Sequence, residues 1–216
     1  MNAFSAPSAA DEPNSTVARC KPFANAAFDL VAMAASAGGL QALSQVLSEL
    51  PAEFPAAIVV VQHLAPDHKS LMVDILSRRV VMAVQQARQG DRLCPGTIYL
   101  APPDYHTLVA PDGTLALSQS PLVHFVRPAA DRLFESVATS YGKRAIAVVL
   151  TGTGKDGAAG TQAIQQQGGL VMVQDEATAE FFGMPGAAIQ TGIVEWVLPL
   201  TEIAPKLIAL VSGQGR

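Results

Sequence analysis

The chain has 216 residues, half of them hydrophobic and only 15% charged, with a formal net charge of −4. So large an apolar share excludes a disordered chain, and one domain of this length buries enough surface to hold a core without staples. The acidic balance excludes a general nucleic-acid binder, whose affinity rests on neutralising phosphates.

Two cysteines, Cys20 and Cys94, make neither a disulfide framework nor a metal site, and they suit a reducing compartment. No apolar run approaches the roughly 20 residues of a membrane-spanning helix, and the first ten residues lack a basic start and an apolar stretch. The expected address is the cytoplasm, without membrane insertion.

Residues 1–26 are rich in Ala, Ser, Pro and Asn without periodicity and read as a flexible leader; residues 27–216 read as one domain. Residues 28–35 form the first apolar strand, followed by a helix over 40–50. A second buried strand spans 57–62, a helix 70–79 and a strand 80–87. Residues 96–100 read as a strand. Residues 106–110 and 114–118 read as a hairpin closed by Pro111, Asp112 and Gly113. A helix over 130–141 precedes a buried strand at 145–150 and a helix at 158–167. A strand at 170–173, an apolar loop at 181–185, a strand at 193–198 and a helix at 201–211 complete the chain. Alternating strands and helices predict a doubly wound α/β domain, its sheet mainly parallel, with an antiparallel hairpin excursion. Ligands of such sheets bind beyond the carboxyl ends of the strands.

Three of those ends carry polar side chains of catalytic type. The first strand runs into Ser36-Ala37-Gly38-Gly39, the second into Gln62-His63, and the strand at 145–150 into Thr151-Gly152-Thr153-Gly154-Lys155-Asp156-Gly157. Singly, Ser36 and Asp156 read as helix caps and His63 as a loop bystander. Together they match a nucleophile, a base and an orienting carboxylate, a set defined by geometry rather than chain order. The glycine turns fit neither a P-loop nor a dinucleotide fingerprint: Val149 and Asp156 occupy the positions where a P-loop needs Gly and Ser or Thr.

At these residues the chain resembles the CheB-type chemotaxis protein-glutamate methylesterases, over roughly residues 29–211. The resemblance is carried by six segments in order. These are Ser36-Ala37-Gly38-Gly39, Gln62-His63-Leu64, residues 96–102 with His106, residues 127–134, Leu150 to Gly157, and Gln174-Asp175 followed by Gly183-Met184-Pro185. It implies a serine hydrolase that cleaves glutamate γ-methyl esters on chemoreceptor helices, some members also deamidating glutamines. By the same resemblance Ser36 is the nucleophile, His63 the base and then acid, and Asp156 the orienting carboxylate. The amides of Thr153 and Ala37 would meet the oxyanion. By its own place after Pro102-Pro103-Asp104-Tyr105, His106 is expected to line the cleft towards the substrate, and Met184, in the apolar stretch 181–185, either to wall the cleft or to pack in the core. No cofactor or metal is implied, and a monomer is expected. A non-catalytic adaptor of the same fold, binding receptor or signalling partners, is the alternative.

Ala37 stands where the family often has Thr, Thr153 where Met is common, and Ala129 where Ser is frequent. Many relatives carry an N-terminal receiver domain, whereas about 27 residues precede the first strand here. The expectation is a stand-alone member or a piece of a longer chain, without a phospho-gate of its own.

Overall fold

The computed structural model describes residues 26–63 and 71–214. Seven parallel strands form one sheet: β1 (Leu30–Ala35), β2 (Ala57–Gln62), β3 (Ala83–Gln86), β4 (Thr97–Leu100), β7 (Ala145–Val149), β8 (Leu170–Gln174) and β9 (Trp196–Leu198). Their order is β3-β4-β2-β1-β7-β8-β9. The hairpin β5 (His106–Val109) and β6 (Leu115–Ser118) is a separate antiparallel pair, turned at Gly113, which adopts φ +79°.

The two central strands, LVAMAA in β1 and AIVVVQ in β2, are buried at every position. A strand with both faces covered needs no polar alternation, and the helices supply the cover. Alternate residues of β1 divide between the two faces. Val31, Met33 and Ala35 join one core with α1 (Gly39–Ser48), α2 (Met72–Ser77) and α6 (Leu200–Val211). Leu30, Ala32 and Ala34 join the other with α3 (Ala130–Tyr141), α4 (Ala158–Gln166) and α5 (Gly183–Gln190). The hairpin adds Val109 and Leu115 to this second core. The doubly wound architecture with its hairpin excursion is thus the one expected.

Several boundaries moved. The third strand begins at Ala83 rather than 80, because the Val80 amide bonds to Leu76 O at 3.0 Å and its side chain stays with α2. The edge strand β9 keeps three residues of the expected six. Residues 181–185 are not a loop throughout: α5 starts at Gly183. At the start of the folded part, Ala26 packs against the core and the Ala27 amide bonds to Val211 O, whereas residues 1–25 lie outside the described region. Cys94 is disulfide-bonded, contrary to the expectation of thiols, and Cys20 lies outside the described residues.

The direction of winding reverses at β1. The chain passes from β1 to β2 and onward to β4 and β3 on one side, then returns to β7 on the other. The helices leaving such a reversal diverge and open a crevice at the carboxyl edge, where α/β proteins bind ligands. No helix of the described residues is long and apolar enough to cross a membrane.

Candidate active site

Register delivers three loops to that crevice at one level. Ala35 lies beside Gln62 in the β1–β2 pairing, and Ala34 beside Val149 in the β1–β7 pairing. Ser36 and His63 are therefore the first residues beyond neighbouring strand ends. Thr151 stands on the other side of Ser36, accepting the Ser36 amide on its carbonyl at 3.0 Å. The chain turns from β1 into α1 through Gly38, whose φ of +75° is left-handed and suits a residue without Cβ.

Asp156 is the anchor of the site. It is buried, and His63 Nε2 lies 2.8 Å from its Oδ2. The first amides of α3 also point at it: Ala130 N–H donates to Oδ2 at 2.5 Å and Asp131 N–H to Oδ1 at 3.1 Å. Burial alone would raise this carboxyl, but the bonds from His63, Ala130 and Asp131 outweigh it and hold it below the ordinary 3.8. Asp156 is thus ionised and can only accept, so His63 Nε2 carries the proton it donates. In the neutral imidazole this leaves Nδ1 bare, as the nitrogen able to take a proton.

A second buried carboxylate braces the first. Asp131 Oδ1 accepts from Gly157 N–H at 2.9 Å and Gly160 N–H at 2.7 Å, while its other oxygen meets His124 Nε2 at 3.2 Å. Asp156 therefore caps α3, which carries Asp131, and Asp131 caps α4, which starts just after Asp156. Burial raises the Asp131 carboxyl above its ordinary value, and the neighbouring Asp156 charge adds to the rise.

Two further residues tie the Ser36 turn in place, and neither was assigned a role from the sequence. Gln62 Nε2 donates to Ser36 O at 2.7 Å and to His63 O at 3.1 Å, so one amide bridges both turns. Thr151 Oγ1 donates to Ala37 O at 3.0 Å and accepts from Phe181 N–H at 2.9 Å. A glutamine at a strand end was visible, but its partner Ser36 O lies 26 residues away in the chain and could not be read from spacing.

Gly152 packs directly against Ser36 and Met184. A Cβ on Gly152 would lie 2.8 Å from Ser36 Cβ and 2.4 Å from Met184 Sδ. Gly152→Ala is expected to lower ester turnover by about 10²-fold or more, the scale of a catalytic group displaced by about 1 Å. Overpacking should also cost roughly 1–3 kcal/mol of stability. Steady-state kinetics on a small ester and a thermal melt check both.

The expected residues fared unequally. His63 and Asp156 are joined, whereas no hydrogen bond links Ser36 Oγ to His63 among the described residues. The amides of Ala37 and Thr153 meet no protein acceptor among the described residues, and Thr153 is exposed. Met184 is fully buried beneath Gly152 rather than lining the cleft. His106 is also withdrawn from the cleft: it is 0% exposed, with Nδ1 accepting from Ala129 N–H at 3.1 Å and Nε2 facing Pro121 O at 3.2 Å. It holds the segment leading into α3 and hence the Ala130 amide. His124, whose side chain is about one third exposed, is the partner of Asp131. Asp175 caps a turn, accepting Thr178 N–H at 3.0 Å.

Burial lowers the His106 imidazole below its ordinary 6.5, with the Pro121 carbonyl pulling partly back. Below about pH 6.5 the unfolded chain therefore takes up a proton that the folded chain refuses, so this group removes stability as pH falls. The expected result is a urea-unfolding free energy that drops between pH 7 and 5, and drops less in His106→Gln.

The cavity beside His63 measures about 130 Å³ and is lined also by Asp104, Leu122, Phe125 and Arg127. Another, of about 160 Å³, opens at the amino ends of β1 and β7. Its Arg144 is already paired with Asp29 and it lies at the opposite edge from His63, apart from the strand ends that carry Ser36 and His63.

Comparison with known proteins agrees with the geometry. Residues 31–207 match the family model described as CheB methylesterase. A protein-glutamate methylesterase/protein-glutamine glutaminase of Moorella thermoacetica is 41% identical, over 87% of this chain and 45% of its own length. The protein-glutamate methylesterase FrzG of Myxococcus xanthus is 40% identical, over 86% of this chain and 55% of its own. The crystal structure of the Thermotoga maritima CheB methylesterase catalytic domain superposes with a TM-score of 0.82 at 37% identity, covering 85% of this chain and 99% of that one. The chain spans about half the length of the curated relatives it matches. With a family model covering most of its folded part and relatives near 40% identity, the chain belongs to the CheB methylesterase family.

Proposed function

We propose that this protein is a serine hydrolase that removes methyl groups from glutamate γ-methyl esters on chemoreceptor helices, with Ser36, His63 and Asp156 as its triad. The observation that carries the reading is the His63–Asp156 bond of 2.8 Å, formed at the sheet edge where Ser36 follows the neighbouring strand. Ser36 Oγ attacks the ester carbonyl carbon while His63 Nδ1 takes its proton. The Ala37 and Thr153 amides receive the negative charge that develops on the carbonyl oxygen. Collapse breaks the C–O bond, and methanol leaves with the proton from His63. Water then attacks the acyl-Ser36 carbonyl and loses its proton to His63. Ser36 departs with that proton, leaving a glutamate carboxylate. Asp156 remains ionised throughout and steadies the imidazolium formed twice per cycle.

A γ-carboxamide is cleaved by the same steps with ammonia as leaving group, so deamidation of receptor glutamines belongs to the reading, as the names of several relatives have it. The protein acts as a monomer in the cytoplasm, drawing on side chains and amides alone. A fluorophosphonate that traps activated serines tests the nucleophile: the adduct should map to the peptide containing Ser36 and vanish in Ser36→Ala. Labelling elsewhere, or none, would remove Ser36 from the mechanism.

A further inference from the structure

The loop between β6 and α3 presents apolar side chains to water in a manner that chance exposure does not explain. Phe125 is 96% exposed and Leu122 54%. His124 and Phe125 have φ of +49° and +65°, two consecutive left-handed residues in a tight turn. Such turns favour Asn-Gly, and a phenylalanine there holds an unfavourable backbone to keep its ring outside.

The turn is pinned on every side. Val123 and Val126 exchange N–H···O bonds of 3.2 and 3.0 Å across it. His124 is tied to Asp131, and Arg127 forks onto Asp104 Oδ1 through Nε and Nη2 at 3.0 and 2.6 Å. Arg127 also donates to the carbonyls of Gln119 and Ser120. The charged groups behind the knuckle are spent on one another, so what it offers outward is apolar. Leu122, Phe125 and His63 line one cavity, so the knuckle is continuous with the base of the triad. On the other side Phe181, 40% exposed, accepts the Gly152 amide on its carbonyl, next to Ser36.

We propose that the Leu122–Phe125 knuckle is a substrate-docking element: it seats on apolar side chains of the receptor helix that carries the esterified glutamate, and so places the ester between His63 and Ser36. This rests on the esterase reading above and adds how a protein substrate is told from a small ester. Aromatic anchors dominate such contacts because one rigid ring buries much area at little entropic cost. A small ester needs only the triad; a receptor needs the knuckle as well.

The test compares Phe125→Gly and Phe125→Trp with the unaltered chain on two substrates, methylated receptor membranes and p-nitrophenyl acetate. Phe125→Gly should lose at least about tenfold in kcat/KM on receptors, as expected for an interface anchor, and change by less than about twofold on the small ester. Its melting temperature should not fall, since glycine relieves the left-handed strain. Phe125→Trp should keep receptor activity within about threefold, because the anchor ring is retained. Receptor activity unchanged in Phe125→Gly, or both substrates losing together, would overturn the inference while leaving the esterase reading intact. So would a change of oligomeric state in sedimentation, which would make the knuckle a contact between copies of this chain. An unaltered chain that hydrolyses the small ester but not methylated receptors would overturn the substrate reading, and the knuckle's role with it.

Discussion

Ser36→Ala is expected to lower ester hydrolysis by about 10⁴-fold or more, with the fold and melting temperature unchanged. Among the described residues its side chain makes no hydrogen bond: the Ser36 contacts to Thr151, Gly39 and Gln62 run through its amide and carbonyl, which alanine retains. Removing the hydroxyl therefore deletes the proposed attacking atom and little else. Because triad members act as a unit, His63 and Asp156 should be unable to rescue the rate. The residue left should reflect binding and the amides that meet the oxyanion. Turnover of p-nitrophenyl acetate, with circular dichroism to check the fold, measures it. A loss of tenfold or less would mean that another group attacks.

Asp156→Asn is expected to cost about 10⁴-fold in turnover for a different reason, the tautomer of His63. The carboxylate accepts from His63 Nε2–H and from the Ala130 and Asp131 amides. An asparagine can satisfy the helix amides with its one oxygen, and then its NH₂ faces His63. The imidazole must turn its lone pair to that NH₂ and carry its proton on Nδ1, where the base is needed. The same substitution has a pH signature in stability. Asp156 has a folded-state value held below 3.8, so its stabilising contribution is present above that pH and lost as pH falls through the folded value. In Asp156→Asn, acid unfolding should lose that component. Kinetics and acid titration of the purified variant check the two effects separately.

The frame was legible because each central strand is a short run of buried small and β-branched residues that stops at a glycine or polar junction. The triad candidates lay at those stops, and parallel order alone brings them to one edge. Pairwise long-range contacts were not legible. Gln62 and Thr151 bridge turns that are 26 to 114 residues apart, and nothing local marks either as a brace. Helix α5 escaped notice because Gly183, Pro185 and Gly186 are poor helix formers; the packing of Met184 and Ala188 into the core decides its conformation. His106 was drawn towards the substrate by its place after a Pro-Pro turn, whereas its ring is used up inside, between Ala129 and Pro121. The knuckle was invisible for the opposite reason: Leu122 to Arg127 reads as an ordinary loop, and only its backbone conformation and exposure set it apart.

The central claim is that the Ser36, His63 and Asp156 edge removes methyl groups from glutamyl esters of a protein. Methanol release from receptor membranes bearing radiolabelled methyl groups tests it most directly. The purified chain should release labelled methanol and leave unlabelled glutamate, and Ser36→Ala should release none above background. Receptors that keep their label in the presence of a chain that still cleaves p-nitrophenyl acetate would contradict it.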